Sequence, residues 1–185
     1  MKALLRSLVV GIGIIVIISA IAMVIYYYVD FRPYRSQIEG IIKDAHPLHI
    51  NPPEVVYDLA VISEGKSRIK SYVAQRLLNK FGKDKVRMMF WHPKYALWDF
   101  LIGLHFNEKD IFTLWCQLAP YKEGNGLNES ANYHYKRDLN KLTIEEVASI
   151  IAIVEAPSFY ETHPEELKER SKILLRLGIR GQVFD

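Results

Sequence analysis

From Leu8 to Val29 no side chain carries a charge, and most are Ile, Val, Leu or Ala. Such a run leaves the chain few options, because the hydrocarbon core of a bilayer, about 30 Å thick, takes about 20 such residues as one helix. Lys2 and Arg6 precede the run, and Tyr26, Tyr27 and Tyr28 close it. Basic residues favour the cytoplasmic side and tyrosines the membrane interface. The pattern predicts a single-pass anchor over residues 1–29, with the C-terminal part of the chain on the outer side of the cytoplasmic (inner) membrane. Arg32 and Arg35 reduce the charge asymmetry behind that orientation. Ala20-Ile21-Ala22 also fits a signal-peptide cleavage site, but the apolar run continues beyond it through Met23-Val24-Ile25, which favours an uncleaved anchor.

The 185 residues suffice for one ordinary domain behind such an anchor. The net charge of +3 is too small an excess for a nucleic-acid-binding face. Cys116 is the only cysteine, so an internal disulfide and a Cys-rich zinc site are excluded.

Residues 30–51 read as a juxtamembrane segment with a short helix over Ser36–Lys43, broken by Pro47, Pro52 and Pro53. Residues 52–185 read as one mainly α domain. Val55, Val56, Leu59 and Ile62 have helical spacing. Ser67 is expected to cap a helix that runs to Phe81 and stops at Gly82. Asn107 is expected to cap another, with Glu108 and Asp110 in its first turn. Thr143 with Glu146, and Thr162 with Glu165, have the spacing of capping boxes, and Gly178 is expected to stop the last helix. Only Lys85–Phe90 has weak strand character.

Candidate chemistry is sparse. The six histidines form no HExxH and no tight cluster, so no metal site is expected. Gly65-Lys66-Ser67 resembles the tail of a P-loop, but the required earlier glycine is Ala60. Ser130, His134 and Asp138 share a helical spacing, yet one helix does not converge a hydrolytic triad on a point. Glu64 ends an apolar helix and faces Lys66, Arg68 and Lys70. It is either a general base or an ion-pair partner.

Further along, the residues resemble the family 51 glycosyltransferases, the peptidoglycan transglycosylases found alone or as the N-terminal catalytic domains of bifunctional penicillin-binding proteins. Asp110-Ile111-Phe112-Thr113-Leu114-Trp115-Cys116-Gln117 resembles the family's E-I-L-E-x-Y-L-N helix. Gly124-Asn125-Gly126-Leu127, then Ser130-Ala131-Asn132-Tyr133-His134-Tyr135, resembles its G-N-G stretch. Leu142-Thr143-Ile144-Glu145-Glu146-Val147-Ala148 resembles L-T-L-x-E-A-A, and Ala156-Pro157-Ser158-Phe159-Tyr160 matches A-P-S-x-Y. His163-Pro164-Glu165 and Arg170 resemble N-P-E and the closing R-R-x-x-V-L. Upstream, Glu64 resembles the glutamate of E-D-x-x-F, and Ser67-Arg68-Ile69 the start of S-T-I-T-Q-Q-L.

The resemblance spans roughly Pro52 to Leu175. It implies a lysozyme-like, mainly α transglycosylase domain behind one N-terminal transmembrane helix. It also implies polymerisation of lipid II into glycan strands. In that chemistry Glu64 would deprotonate the acceptor sugar, and Lys66, Ser67, Arg68, Asn125 and Arg170 would contact substrate. No cofactor is expected, although the family often uses a divalent cation at the leaving phosphates. Lipid II, glycan strands, the membrane and other cell-envelope proteins are the implied partners.

Several family positions differ. Gly65 stands where an Asp is expected, and the usual long span between Glu64 and Ser67 is absent. Ser71-Tyr72 replaces the glutamine pair, Thr113 a glutamate, Gln117 an asparagine and Ser171 an arginine. For the glutamate of R-K-x-x-E, an ungapped reading offers Tyr95 and a gapped one Asp99. These departures leave two readings: a diverged transferase using Glu64, or a catalytically inactive membrane-anchored scaffold that binds glycan or lipid II.

Overall fold

The computed structural model describes residues 2–82 and 88–181. It divides into two compact units at Gly40/Ile41.

The described residues of the N-terminal unit are all helical. Helix α1 (Lys2–Tyr26) passes through one wide π-helical turn (Tyr27–Phe31) into α2 (Arg32–Lys43). Helix α2 thus starts before the expected Ser36, because Pro33 falls in its first turn, where a proline is tolerated. Ile15 and Val29 are 65% and 68% exposed within a long exposed aliphatic stretch. An apolar surface of that extent marks a surface for a membrane or another partner. Among the described residues this is the one helix long and apolar enough to cross a membrane, a property that a signal sequence shares.

The C-terminal unit is built from α3 (Pro47–Ile50), α4 (Glu54–Glu64), α5 (Lys66–Phe81), α6 (Met88–His105), α7 (Glu108–Leu118), α8 (Leu127–Tyr135), α9 (Ile144–Glu155), α10 (Pro157–Tyr160) and α11 (Pro164–Gly181). A small antiparallel hairpin, β1 (Pro120–Tyr121) with β2 (Gly124–Asn125), precedes α8. Val56 and Leu59 of α4, Val73 and Leu77 of α5, Trp115 of α7 and Ile151 of α9 are all buried in the core. Helix α7 is deeply buried, with every residue from Ile111 to Cys116 buried. Helix α9 packs on α11 and α4, and α5 packs on α6 and α7. The expected mainly α architecture is what the chain adopts.

Two caps match the sequence signals. Asn107 accepts the Asp110 amide at 2.9 Å, and Thr143 with Glu146 closes a complete capping box. Others differ. Gly65, not Ser67, occupies the N-cap of α5, because the chain turns at the glycine and leaves Ser67 inside the helix. Helix α11 starts at Pro164, so its N-cap position is His163 rather than Thr162, whose hydroxyl donates back to the Ser158 and Phe159 carbonyls. Helix α11 runs through Gly178, where Leu59 and Ile62 pack against the glycine. A glycine costs an α-helix only about 1 kcal/mol, which such packing overrides. Of the weak strand over Lys85–Phe90, residues 85–87 lie outside the described region and Met88–Phe90 open α6.

Candidate functional site

Helix α4 ends at Glu64, and the chain enters α5 after a single residue, Gly65, at φ 78° and ψ 147°. That conformation is essentially reserved for glycine. With the long span after Glu64 absent, one residue must reverse the chain between two helices. A glycine is therefore needed where the family pattern has an Asp.

The junction sends neighbouring side chains to different places. Glu64 is half-buried and lies within electrostatic reach of Glu155 at the end of α9, Arg170 on α11 and Arg68 on α5. Arg170 grips Glu155 with two bonds, Nε to Oε2 at 2.9 Å and Nη2 to Oε1 at 2.6 Å. The Ser63 hydroxyl also donates to Glu155 Oε1. Such forked, charge-assisted bonds fix geometry as well as charge. Burial raises the Glu64 carboxyl above the usual range, the Glu155 charge raises it further, and Arg68 and Arg170 oppose the rise. Beside it, burial pushes the Tyr72 phenol up to about 12, while Arg76 donates to its oxygen at 2.9 Å.

Lys66 and Ser67 line a cavity of about 520 Å³ together with Tyr57, Lys70, Glu108 and Phe112. Lys66 Nζ lies 2.7 Å from Glu108, whose same oxygen accepts the Tyr57 hydroxyl. Lys70 pairs with Asp99 at 3.0 Å, and Asp99 also accepts the Ser71 hydroxyl at 2.8 Å. Asp99, the gapped candidate for the family glutamate, is thus held beside the cavity by two residues of α5. The Tyr95 hydroxyl donates to the Ser71 carbonyl at 3.3 Å. Asn125 occupies a third location, exposed in β2 and paired across the hairpin with Pro120. Gly126 follows at φ 120°, where its amide donates to Ala119 at 2.7 Å. The structure therefore groups Glu64 with Arg68 and Arg170, Lys66 with Ser67, and leaves Asn125 on the hairpin.

The altered family positions have internal partners. Thr113 is buried and donates to the Lys109 carbonyl at 2.9 Å. Ser171 is buried between α9 and α11, where it donates to Leu167 at 2.7 Å and meets Ser149 at 3.1 Å. Gln117 Oε1 lies 2.6 Å from His49 Nδ1. Cys116 is fully buried, and burial pushes its thiol up, so it is no nucleophile. Ser130 is buried, while Asp138 bonds Asn132 and Lys141, so the Ser130–His134–Asp138 spacing builds no triad.

A divalent cation finds no ready-made cage of protein ligands among the described residues. Among the described residues no three His, Cys, Asp or Glu side chains converge to hold one. The Glu155 oxygens are already engaged by Arg170 and Ser63.

Sequence reasoning passed over Ser63, Glu155 and Tyr57, and read Glu108 only as an acid in the first turn of its helix. Glu155 had a signal of its own: it is the lone carboxylate at the end of the apolar run Val147–Val154. A negative charge there opposes the helix dipole and calls for a compensating cation.

Comparison with known proteins agrees with this architecture. A family model described as Transglycosylase matches residues 59–177, well over half of the chain. The "Uncharacterized protein YfeL" of Salmonella typhimurium strain LT2 is 21% identical over 173 residues, which cover 90% of each chain.

Proposed function

We propose, from the premise that this chain belongs to the transglycosylase family, that it is a glycosyltransferase-like protein of peptidoglycan assembly acting at the membrane surface. The observation that carries the reading is the half-buried Glu64, within electrostatic reach of Arg68, Arg170 and Glu155. A general base works best when its pKa approaches the working pH, and burial beside a second carboxylate moves Glu64 in that direction.

In the proposed reaction Glu64 takes the proton from the 4-hydroxyl of the acceptor sugar. That oxygen attacks the anomeric carbon of the lipid-linked chain. The bond to the pyrophosphate oxygen breaks, and its electron pair leaves with the phosphate. Arg68, exposed beside Glu64, supplies positive charge to the leaving group. Residues 1–29 anchor the protein in the cytoplasmic membrane, residues 30–51 connect, and residues 52–185 meet the lipid-linked saccharide on the outer side.

A specific observation favours a second reading, a non-catalytic protein that binds lipid II or glycan. Lys66, Lys70 and Arg170 each face a carboxylate of the chain itself, Glu108, Asp99 and Glu155. Thr113 and Ser171, at positions where the family pattern is charged, are buried and internally bonded.

Polymerisation of labelled lipid II by the full-length protein in detergent, with Glu64→Gln as control, separates the two. The transferase reading expects glycan chains from the parent and none from the variant. No product from a folded parent leaves the binding protein, to be followed by lipid II pull-down.

A further inference from the structure

We infer that Glu155 is a positioning residue for Glu64: it holds the Arg170 guanidinium in place and anchors the end of α4 through Ser63. The inference rests on the reading of Glu64 as base, and nothing in the sequence motifs assigns Glu155 a part.

The geometry is a three-helix clasp. Ser63 and Glu64 are consecutive in the last turn of α4. The Ser63 hydroxyl bonds the same Glu155 oxygen that receives Arg170 Nη2. One carboxylate from α9 therefore ties the end of α4 to α11. Arg170 spends its Nε and Nη2 on Glu155, so its Nη1 edge is not used by that pair. The ion pair is partly withdrawn from water, with side-chain exposures of 28% for Arg170 and 19% for Glu155. It is consequently less screened than the exposed pairs of this chain.

The charged groups that act on Glu64 come from each packed element, Glu155 from α9, Arg170 from α11 and Arg68 from α5, and Glu64 in turn raises the Tyr72 phenol of α5. Glu155 acts on Glu64 in two opposing ways. Its own charge disfavours ionisation of Glu64, and the guanidinium it fixes favours it. The carboxylate has the larger effect of the two.

The test is a carbon-13 NMR titration of the glutamate carboxyls in the full-length protein in micelles, with the Glu64 signal assigned through Glu64→Gln. Glu155→Gln is expected to move the Glu64 midpoint down, and Glu155→Asp to restore most of the parent value. In a turnover assay the acid limb of kcat moves down in step, with KM little changed. An unchanged Glu64 midpoint in folded Glu155→Gln overturns the inference. If Glu155→Gln does not fold, Arg170→Lys decides: it keeps the charge but loses the forked edge, and the Glu64 midpoint must rise. An unchanged midpoint there is equally fatal. The titration needs no turnover, so a parent that makes no glycan but shows the shift refutes the catalytic reading and leaves the positioning intact.

Discussion

His49 Nδ1 lies 2.6 Å from Gln117 Oε1, across 68 residues of chain. The other ring nitrogen, Nε2, accepts the Asn128 amide at 2.9 Å. The imidazole is fully buried. An amide donor on Nε2 and an acceptor on Nδ1 together select the neutral Nδ1–H tautomer. One side chain thereby pins α3 to α7 and α8. Glu129 Oε2 lies 3.3 Å from Nε2, but it does not replace the amide as partner while the ring is neutral.

His49→Leu leaves the Gln117 side chain and the Asn128 amide without their buried partner. Each such loss costs about 1–3 kcal/mol. Urea unfolding of the folded domain in detergent is expected to show a loss of about 2–4 kcal/mol. A variant as stable as the parent would show that the imidazole is dispensable.

Burial lowers the pKa of His49 and of His134, against the pull of Glu129 and Glu161. The unfolded chain then takes up protons before the folded one as pH falls. The stability contributed is complete above the ordinary histidine value, about 6.5, and drains away as pH drops through the lower folded values. Melting temperatures measured from pH 7.5 down to pH 5 are expected to fall, and less steeply in a histidine-free variant at position 49.

Glu64 works in the opposite sense. Its folded pKa is raised, first by burial and then by Glu155. The folded protein keeps the proton longer than the unfolded chain, so stability declines as pH rises from the ordinary carboxylate value through the raised one. Glu64→Gln is expected to melt above the parent at neutral pH and to match it near pH 4. Equal melting curves at both ends would mean that the carboxylate carries no strain, contrary to the tension between stability and function expected at a working site.

Gly65 offers a clean backbone test. No atom lies within 4 Å of a Cβ added there, so crowding does not contribute. Gly65→Ala is expected to cost about 1–3 kcal/mol through the φ of 78° alone. Chemical denaturation measures it, and a neutral result would mean that the α4–α5 junction relaxes to another turn.

Much of the fold was legible because it depends on local chemistry. The apolar run from Leu8 to Val29 admits a helix and little else. Asn107 and the Thr143–Glu146 box marked their helix starts, since a cap and its amide lie within three residues of each other. Ser67 and Thr162 misled for the same local reason. Both have the right chemistry, but the glycine turn at 65 and the short helix α10 placed them off the N-cap position, Ser67 inside α5 and Thr162 one residue before the cap of α11.

The site was less legible. Glu64 could be singled out as a carboxylate at a helix end, and Arg68 as a cation four residues on. Glu155 lies 91 positions beyond Glu64, and Glu108 lies 42 beyond Lys66. No spacing rule relates residues so far apart.

By itself the sequence determined a long apolar N-terminal helix, a mainly α domain and membership of a family, because helical period, caps and motifs are short-range properties. Only the tertiary structure decided which carboxylate meets which cation. Charge pairing depends on distance through space, and it was the packing of α4 against α9 and α11 that brought Glu155 and Arg170 to Glu64 while Lys66 faced Glu108.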